Sequence, residues 1–176
     1  MSINKKIITV CTGLVLAVGL NSTQAALMNF SVMGDIVIGQ ELYSNIYNLS
    51  AGDTVTLTGT FDDTGLTSGT GTVYFDINNP ANTFDISLGA FTESSFNDIS
   101  YASGGLPAIT FNNYQLVDMD FLTQTFNSWG LGFDDQNSMY GEWRTDVQFS
   151  PVPAPAALWL LVSGLIGLAG FLRKRE

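Results

Sequence analysis

Between residues 26 and 150 apolar and polar residues alternate almost one by one, and a period of two commits the segment to β-strands with one dry face and one wet face. Val55, Leu57 and Phe61 are separated by Thr54, Thr56, Thr58 and Thr60. Phe84, Ile86 and Leu88 alternate with Asp85 and Ser87, and Val73, Phe75 and Ile77 with Thr72 and Asp76. Phe30, Val32, Ile36 and Ile38 share one parity, as do Val117, Met119 and Phe121, then Trp129, Leu131 and Phe133, and finally Trp143, Val147 and Phe149. No stretch in this region carries a helical stripe. Ser50-Ala51-Gly52-Asp53, Asp62-Asp63-Thr64-Gly65, Asn78-Asn79-Pro80, Ser103-Gly104-Gly105 and Asp134 to Ser138 punctuate the runs as turns. Many short half-buried strands predict an all-β fold, an antiparallel β-sandwich, with a partly open barrel as the alternative.

The two ends read differently. Lys5 and Lys6, the apolar run Ile7 to Leu20 and the small residues of Thr23-Gln24-Ala25 make residues 1–25 a secretory signal peptide, cut between Ala25 and Ala26. Signal peptidase and the secretion machinery are therefore expected partners. Cys11, the single cysteine, lies inside the apolar run behind Val10, where a lipobox needs a small residue. The mature chain then has no thiol and no disulfide to form.

Residues 151–176 form a tail. Val152-Pro153-Ala154-Pro155 precedes an uncharged apolar run, about 156–172, and the basic end Arg173-Lys174-Arg175. As a helix the run spans roughly 25 Å at ~1.5 Å per residue, within tolerance of a bilayer. The basic residues act as a membrane stop and stay cytoplasmic by the positive-inside rule. Prolines at spacing two keep the chain before the helix extended, in a form that a protease cleft can grip. Ser163, Gly167 and Gly170 give the helix a face of small residues.

Taken in order, V-P-A-P-A-A-L-W-L-L-V-S-G-L-I-G-L-A-G-F-L-R-K-R resembles the C-terminal sorting signal of PEP-CTERM proteins in its V-P-x-P-A-A variant. Val152, Pro153, Pro155, Ala156, Ala157, Trp159, Ser163, Gly164, Leu165, Gly167, Leu168 and the basic end carry the match, which covers Val152 to Arg175 only. The resemblance implies a substrate of a membrane-embedded exosortase that cuts near the proline motif. It also implies a host that makes exopolysaccharide. The protein would be exported through the inner membrane, anchored transiently by the tail, and left in the envelope or outside the cell.

Of sixteen acidic residues all but Glu176 fall within residues 26–150, and of six basic residues only Arg144 does. So acidic a segment repels phosphate, which excludes nucleic acid as a partner. There is no histidine, so histidine-based triads and histidine-ligated zinc are excluded. The remaining enzymatic alternative is a carboxylate pair such as Asp118 and Asp120, acting on a glycoside. Their strand neighbours Val117, Met119 and Phe121 must point inward, which turns the aspartates to water. No catalytic residue is therefore assigned. Asp62-Asp63, Asp134-Asp135 and Asn137 offer oxygen ligands of the kind Ca²⁺ takes, yet adjacent aspartates are also ordinary turn formers, so no cofactor and no metal ligand is assigned. Tyr74, Tyr101, Tyr114, Tyr140, Trp129 and Trp143 are candidates for stacking on sugars or for packing the core. The leading expectation is a non-enzymatic structural or adhesive surface protein in an exopolysaccharide matrix. A carbohydrate-binding module and a carboxylate-only enzyme are the alternatives; an exposed line of aromatics favours the first, facing carboxylates the second.

Overall fold

The computed structural model describes residues 27–41, 44–135, 139–153 and 163–164. The described part is all-β. Its strands are β1 (Leu27–Ile38), β2 (Thr54–Asp62), β3 (Gly71–Tyr74), β4 (Thr83–Leu88), β5 (Phe91–Ser94), β6 (Ala108–Asn112), β7 (Gln115–Leu122), β8 (Asn127–Gly130), β9 (Gly132–Asp134), β10 (Tyr140–Trp143) and β11 (Gln148–Pro151). All pair antiparallel into one sheet, in the order β3-β6-β7-β8-β9-β10-β1-β2-β4-β5. β11 joins off this path, on β1. The long strand β1 serves β2 along one edge and divides its other edge, giving Met28–Ser31 to β11 and Gly34–Ile38 to β10.

The sheet curls until its two wings share one core. Phe61 on β2 stacks on Phe111 of β6 at 5.8 Å, and Phe84 on β4 meets Phe121 of β7 edge-on at 5.1 Å. Eight of the eleven phenylalanines among the described residues are buried: Phe30, Phe61, Phe75, Phe84, Phe111, Phe121, Phe126 and Phe133. At ~1.5–3 kcal/mol for each buried side chain of this size, such a core requires no disulfide. Glycines make room for it. A Cβ on Gly34 would sit 2.8 Å from the Phe133 ring and 2.9 Å from Trp143, and one on Gly141 would overlap the Phe133 ring outright.

Alternation places most core residues correctly and fails where the ladder breaks. Thr110 pairs with Asp118, but Phe111 pairs with Leu116, so Val117 is an extra residue bulged out of register. It is 41% exposed, while Leu116 and Met119 face the core, correcting the inward placement of Val117. Trp129 and Phe133 share parity but not a strand. Gly130 and Leu131 form a two-residue hairpin turn between the pair Trp129 and Gly132. Gly130 takes the positive φ of 60° that glycine suits at the first position of such a turn. The reversal sends Phe133 inward and Trp129 outward. Ile77 lies beyond the end of β3 and is exposed, while Asp76 turns in. Ile38 follows a register shift between Ile36 and Ile38 and is also exposed.

Among the described residues no helix is long and apolar enough to cross a membrane. The predicted span at 156–172 lies outside them apart from Ser163 and Gly164, whose backbone is helical. The signal peptide, with Ala25 and Ala26, and the residues Pro155, Arg173, Lys174 and Arg175 also lie outside the described residues.

Candidate functional site

Two places bear on function, the outer face of the sheet and the base of the tail. On the outer face the pairing registers align residues into one row across seven strands. Tyr74 on β3 pairs with Ala108 on β6, Ala108 with Asp120 on β7, and Asp120 with Trp129 on β8. The row continues from Trp129 to Gly132 on β9, Glu142 on β10 and Asp35 on β1. Tyr74 is 44% exposed and Trp129 48%. They stand three strand steps apart, about 14 Å at ~4.8 Å per step. Ala108 between them and Gly132 beyond Trp129 are small, so the aromatics rise beside low ground. The Tyr140 ring borders Gly132, with its Cε2 3.5 Å from where a Cβ would be, and its hydroxyl donates to Glu142 Oε1 at 2.8 Å. That hydrogen bond, followed by burial, raises the Tyr140 pKa.

The row is held from behind. Trp143 is buried, and its indole Nε1–H donates to Ser128 Oγ at 2.9 Å; Ser128 in turn donates to the Gly132 carbonyl at 3.3 Å. Thus β10 is tied to the hairpin that carries Trp129. In front, Asp118 accepts the Gly130 N–H at 2.9 Å and braces the same turn. Burial, then the negative charges of Asp98 and Asp118, raise the pKa of Asp120. At the far end Arg144 makes two hydrogen bonds to Asp35, at 2.8 and 2.7 Å, and these hold the Asp35 carboxyl below its usual range. Arg144 is the one basic residue among the described residues, so the rest of the row carries carboxylates alone.

Asp118 and Asp120 are exposed neighbours on one strand, side by side rather than facing one another. Asp62 Oδ1 accepts the Thr64 N–H at 2.9 Å and caps a single 3-10 turn, Asp63–Gly65. Asp134 sits within β9, and Asp135 is buried and accepts the Met139 N–H at 2.8 Å. Asn137 lies outside the described residues. Among the described residues no group of three or more acidic side chains gathers as a metal site would require. Tyr101 packs on Phe96 and Tyr114 on Phe149, so both rings are partly spent on local packing. Trp143 belongs to the core. Of the six aromatic candidates Tyr74, Trp129 and Tyr140 therefore come together on one face. Ala108, Gly132 and Glu142 were not singled out from the sequence, because membership of the row depends on strand register.

At the tail's base, Val152 and Pro153 follow β11 directly. Met28 pairs with Pro151, and the Val152 N–H donates to the Leu27 carbonyl at 2.9 Å. Val152 is thus bonded to β1. No family model, no curated protein and no solved structure matches this chain.

Proposed function

We propose that this is an exported, non-enzymatic surface or matrix protein whose β-sandwich domain binds polysaccharide through the row Tyr74–Ala108–Asp120–Trp129–Gly132–Glu142. The observation that carries the reading is that row, in which exposed Tyr74 and Trp129 are separated by small Ala108 and the carboxylate of Asp120, with Gly132 and Glu142 beyond. Aromatic faces pack on the C–H faces of sugars, and carboxylates accept strong hydrogen bonds from sugar hydroxyls. An extent of about 14 Å from Tyr74 to Trp129 fits a chain of sugars better than a single ring. The reading joins the adhesive role to the carbohydrate-binding alternative and requires no cofactor. A rise in thermal stability with millimolar Ca²⁺ would reassign the acidic loops as ligands.

The tail supplies delivery. A signal peptide brings the chain to the inner membrane, and the sorting signal holds it there until an exosortase acts. The V-P-x-P-A-A motif, the apolar run and the basic end support this, and so does the absence of any linker between β11 and the motif.

Affinity electrophoresis through gels containing exopolysaccharide from the producing cells, or soluble glucan, xylan or chitosan, tests binding. The native protein should be retarded in at least one gel. Trp129→Ala and Tyr74→Ala should each weaken retardation about tenfold, for a loss of ~1.4 kcal/mol. Both residues are half-exposed, so circular dichroism should stay unchanged. Equal retardation of all three proteins would refute the row as the site. A second reading, adhesion by self-association, draws on exposed Ile77, Phe96 and Ile99 at the end of the sheet where β5 finishes. Concentration-dependent sedimentation of a protein that no gel retards would favour it.

A further inference from the structure

Taking its ligand class from the polysaccharide reading above, we infer that the row ends in a subsite for one uncharged sugar ring, in the cleft beside Tyr74. The cleft has a volume of about 340 Å³, at the lower end of the range for small-molecule sites and suited to a single ring. It lies beside β3, the strand at the end of the sheet order, and Asp62, Thr72, Tyr74, Asn79, Pro80 and Asn82 are among the residues that line it. Asn82 is buried and holds the cleft together. Its Oδ1 accepts the Asp62 N–H at 2.8 Å and its Nδ2 donates to the Tyr74 carbonyl at 2.9 Å, so the end of β2 is tied to the edge of β3. The Asn82 N–H donates to the Asn79 carbonyl at 2.9 Å and closes the turn that carries Pro80.

Strand register turns polar backbone groups toward this cleft. The Phe75 N–H donates to the carbonyl of Pro107, the residue before β6, at 2.8 Å. In an antiparallel ladder bonded and open positions alternate, so Val73 also bonds to β6, while Thr72 and Tyr74 turn their N–H and C=O groups away from it. Two contacts agree with that direction. The Tyr74 carbonyl meets Asn82, and the Thr72 carbonyl lies 3.6 Å from where a Cβ on Gly65 would stand. Asn82 and the turn Asp63–Gly65 occupy the space a further strand would need, so this edge is open to a small ligand and closed to a strand. The Thr72 and Tyr74 N–H groups are its donors. Asp62 Oδ1 accepts the Thr64 N–H at 2.9 Å, and Asn79 Nδ2 donates to Asp76 at 2.9 Å, which leaves Asp62 Oδ2 and Asn79 Oδ1 as acceptors. Each sugar hydroxyl both donates and accepts, so adjacent hydroxyls on one ring suit this mixed set. Tyr74 and Pro80 supply apolar surface for the C–H faces. Among the described residues Asp62 is the one charged group lining the cleft. A uronate would set carboxylate against carboxylate, so a neutral ring is preferred. One carboxylate is also too few for a divalent cation.

The test titrates the isotope-labelled full chain in detergent micelles with glucose, xylose and N-acetylglucosamine, and with glucuronate as the charged counterpart of glucose, while NMR follows the backbone amides. At least one neutral sugar at millimolar concentration should move the Thr72, Tyr74 and Asn79 amides, and glucuronate should bind at least about tenfold more weakly. Asp62→Asn keeps a side chain able to cap the turn and removes the charge. It should weaken the neutral sugar by roughly three- to tenfold, since a charged acceptor is lost, and should bring glucuronate to within about twofold of glucose. Cleft amides that no sugar moves, or glucuronate bound as tightly as glucose by the wild type, overturn the inference. The wild-type titration decides this without any variant. Gels that retard the wild type more than Trp129→Ala, together with unmoved cleft amides, overturn this inference and leave the row standing. Cleft amides that move with a neutral sugar in a protein that no gel retards support the cleft and refute the row.

Discussion

Ser128→Ala isolates the tie behind the aromatic row. Ser128 is fully buried and Trp143 is 3% exposed, so no water replaces the lost oxygen. The substitution strands the indole N–H, whose bond to Ser128 Oγ is 2.9 Å, and removes the hydroxyl that reaches the Gly132 carbonyl at 3.3 Å. An unsatisfied buried donor costs about 1–3 kcal/mol, and the deleted oxygen is too small for a large cavity term. We expect a loss of about 2 kcal/mol, a fall in Tm of roughly 5–10 °C for a domain of this size. Urea unfolding followed by circular dichroism gives the value without relying on tryptophan emission. Trp143→Phe supplies the control, since it removes the N–H while leaving an aromatic ring beside Phe133. In that background Ser128→Ala should cost about 1–2 kcal/mol less, and the difference is the coupling energy. Equal costs in both backgrounds, or a single variant within ~0.5 kcal/mol of wild type, would refute the claim that this hydrogen bond ties β10 to the Trp129 hairpin.

Two further perturbations probe the core and the turns. Gly141→Ala would drive a methyl group into the Phe133 ring and to 2.7 Å from the Asp35 carbonyl oxygen, so stability should fall by at least ~1–3 kcal/mol in the same urea assay. An unchanged midpoint would mean that the glycine is not needed for the packing. Asp76 is buried, which pushes its pKa up, but hydrogen bonds from the Gly105 N–H, the Asn79 amide and the Asn78 N–H outweigh burial and hold it below the usual carboxylate value. Because the folded pKa is depressed, its stabilisation is complete above the unfolded pKa and is lost as pH falls through the folded value. Asp76→Asn should therefore be less stable than wild type at pH 7 and lose less stability on acidification between about pH 5 and pH 2. Parallel acid limbs for the two proteins would contradict this.

The alternation of Val55, Leu57 and Phe61 against threonines settled local conformation, because a side-chain period of two is a property of the strand itself. It placed Phe84, Ile86 and Leu88 in the core and turned Asp118 and Asp120 to water before any partner strand was known. The sorting proposal for the tail rests on a different signal, contiguous parts in a fixed order. Val117 was misplaced, and Trp129 was left open between surface and core, because a bulge and a two-residue turn are events between strands, invisible in the parity of one of them. The same limit hid the candidate site. Tyr74, Ala108, Asp120, Trp129, Gly132 and Glu142 span much of the chain, and only the registers of β3, β6, β7, β8, β9 and β10 put them on one line. Register is fixed by long-range pairing over a shared core, where a slip of one residue would turn Phe111, Phe121 and Phe133 out to water. Sequence alone thus determined most of the strands and the acidity of this protein. The tertiary structure decided which exposed residues are neighbours and how far the domain holds its tail, because each depends on a partner strand distant in sequence.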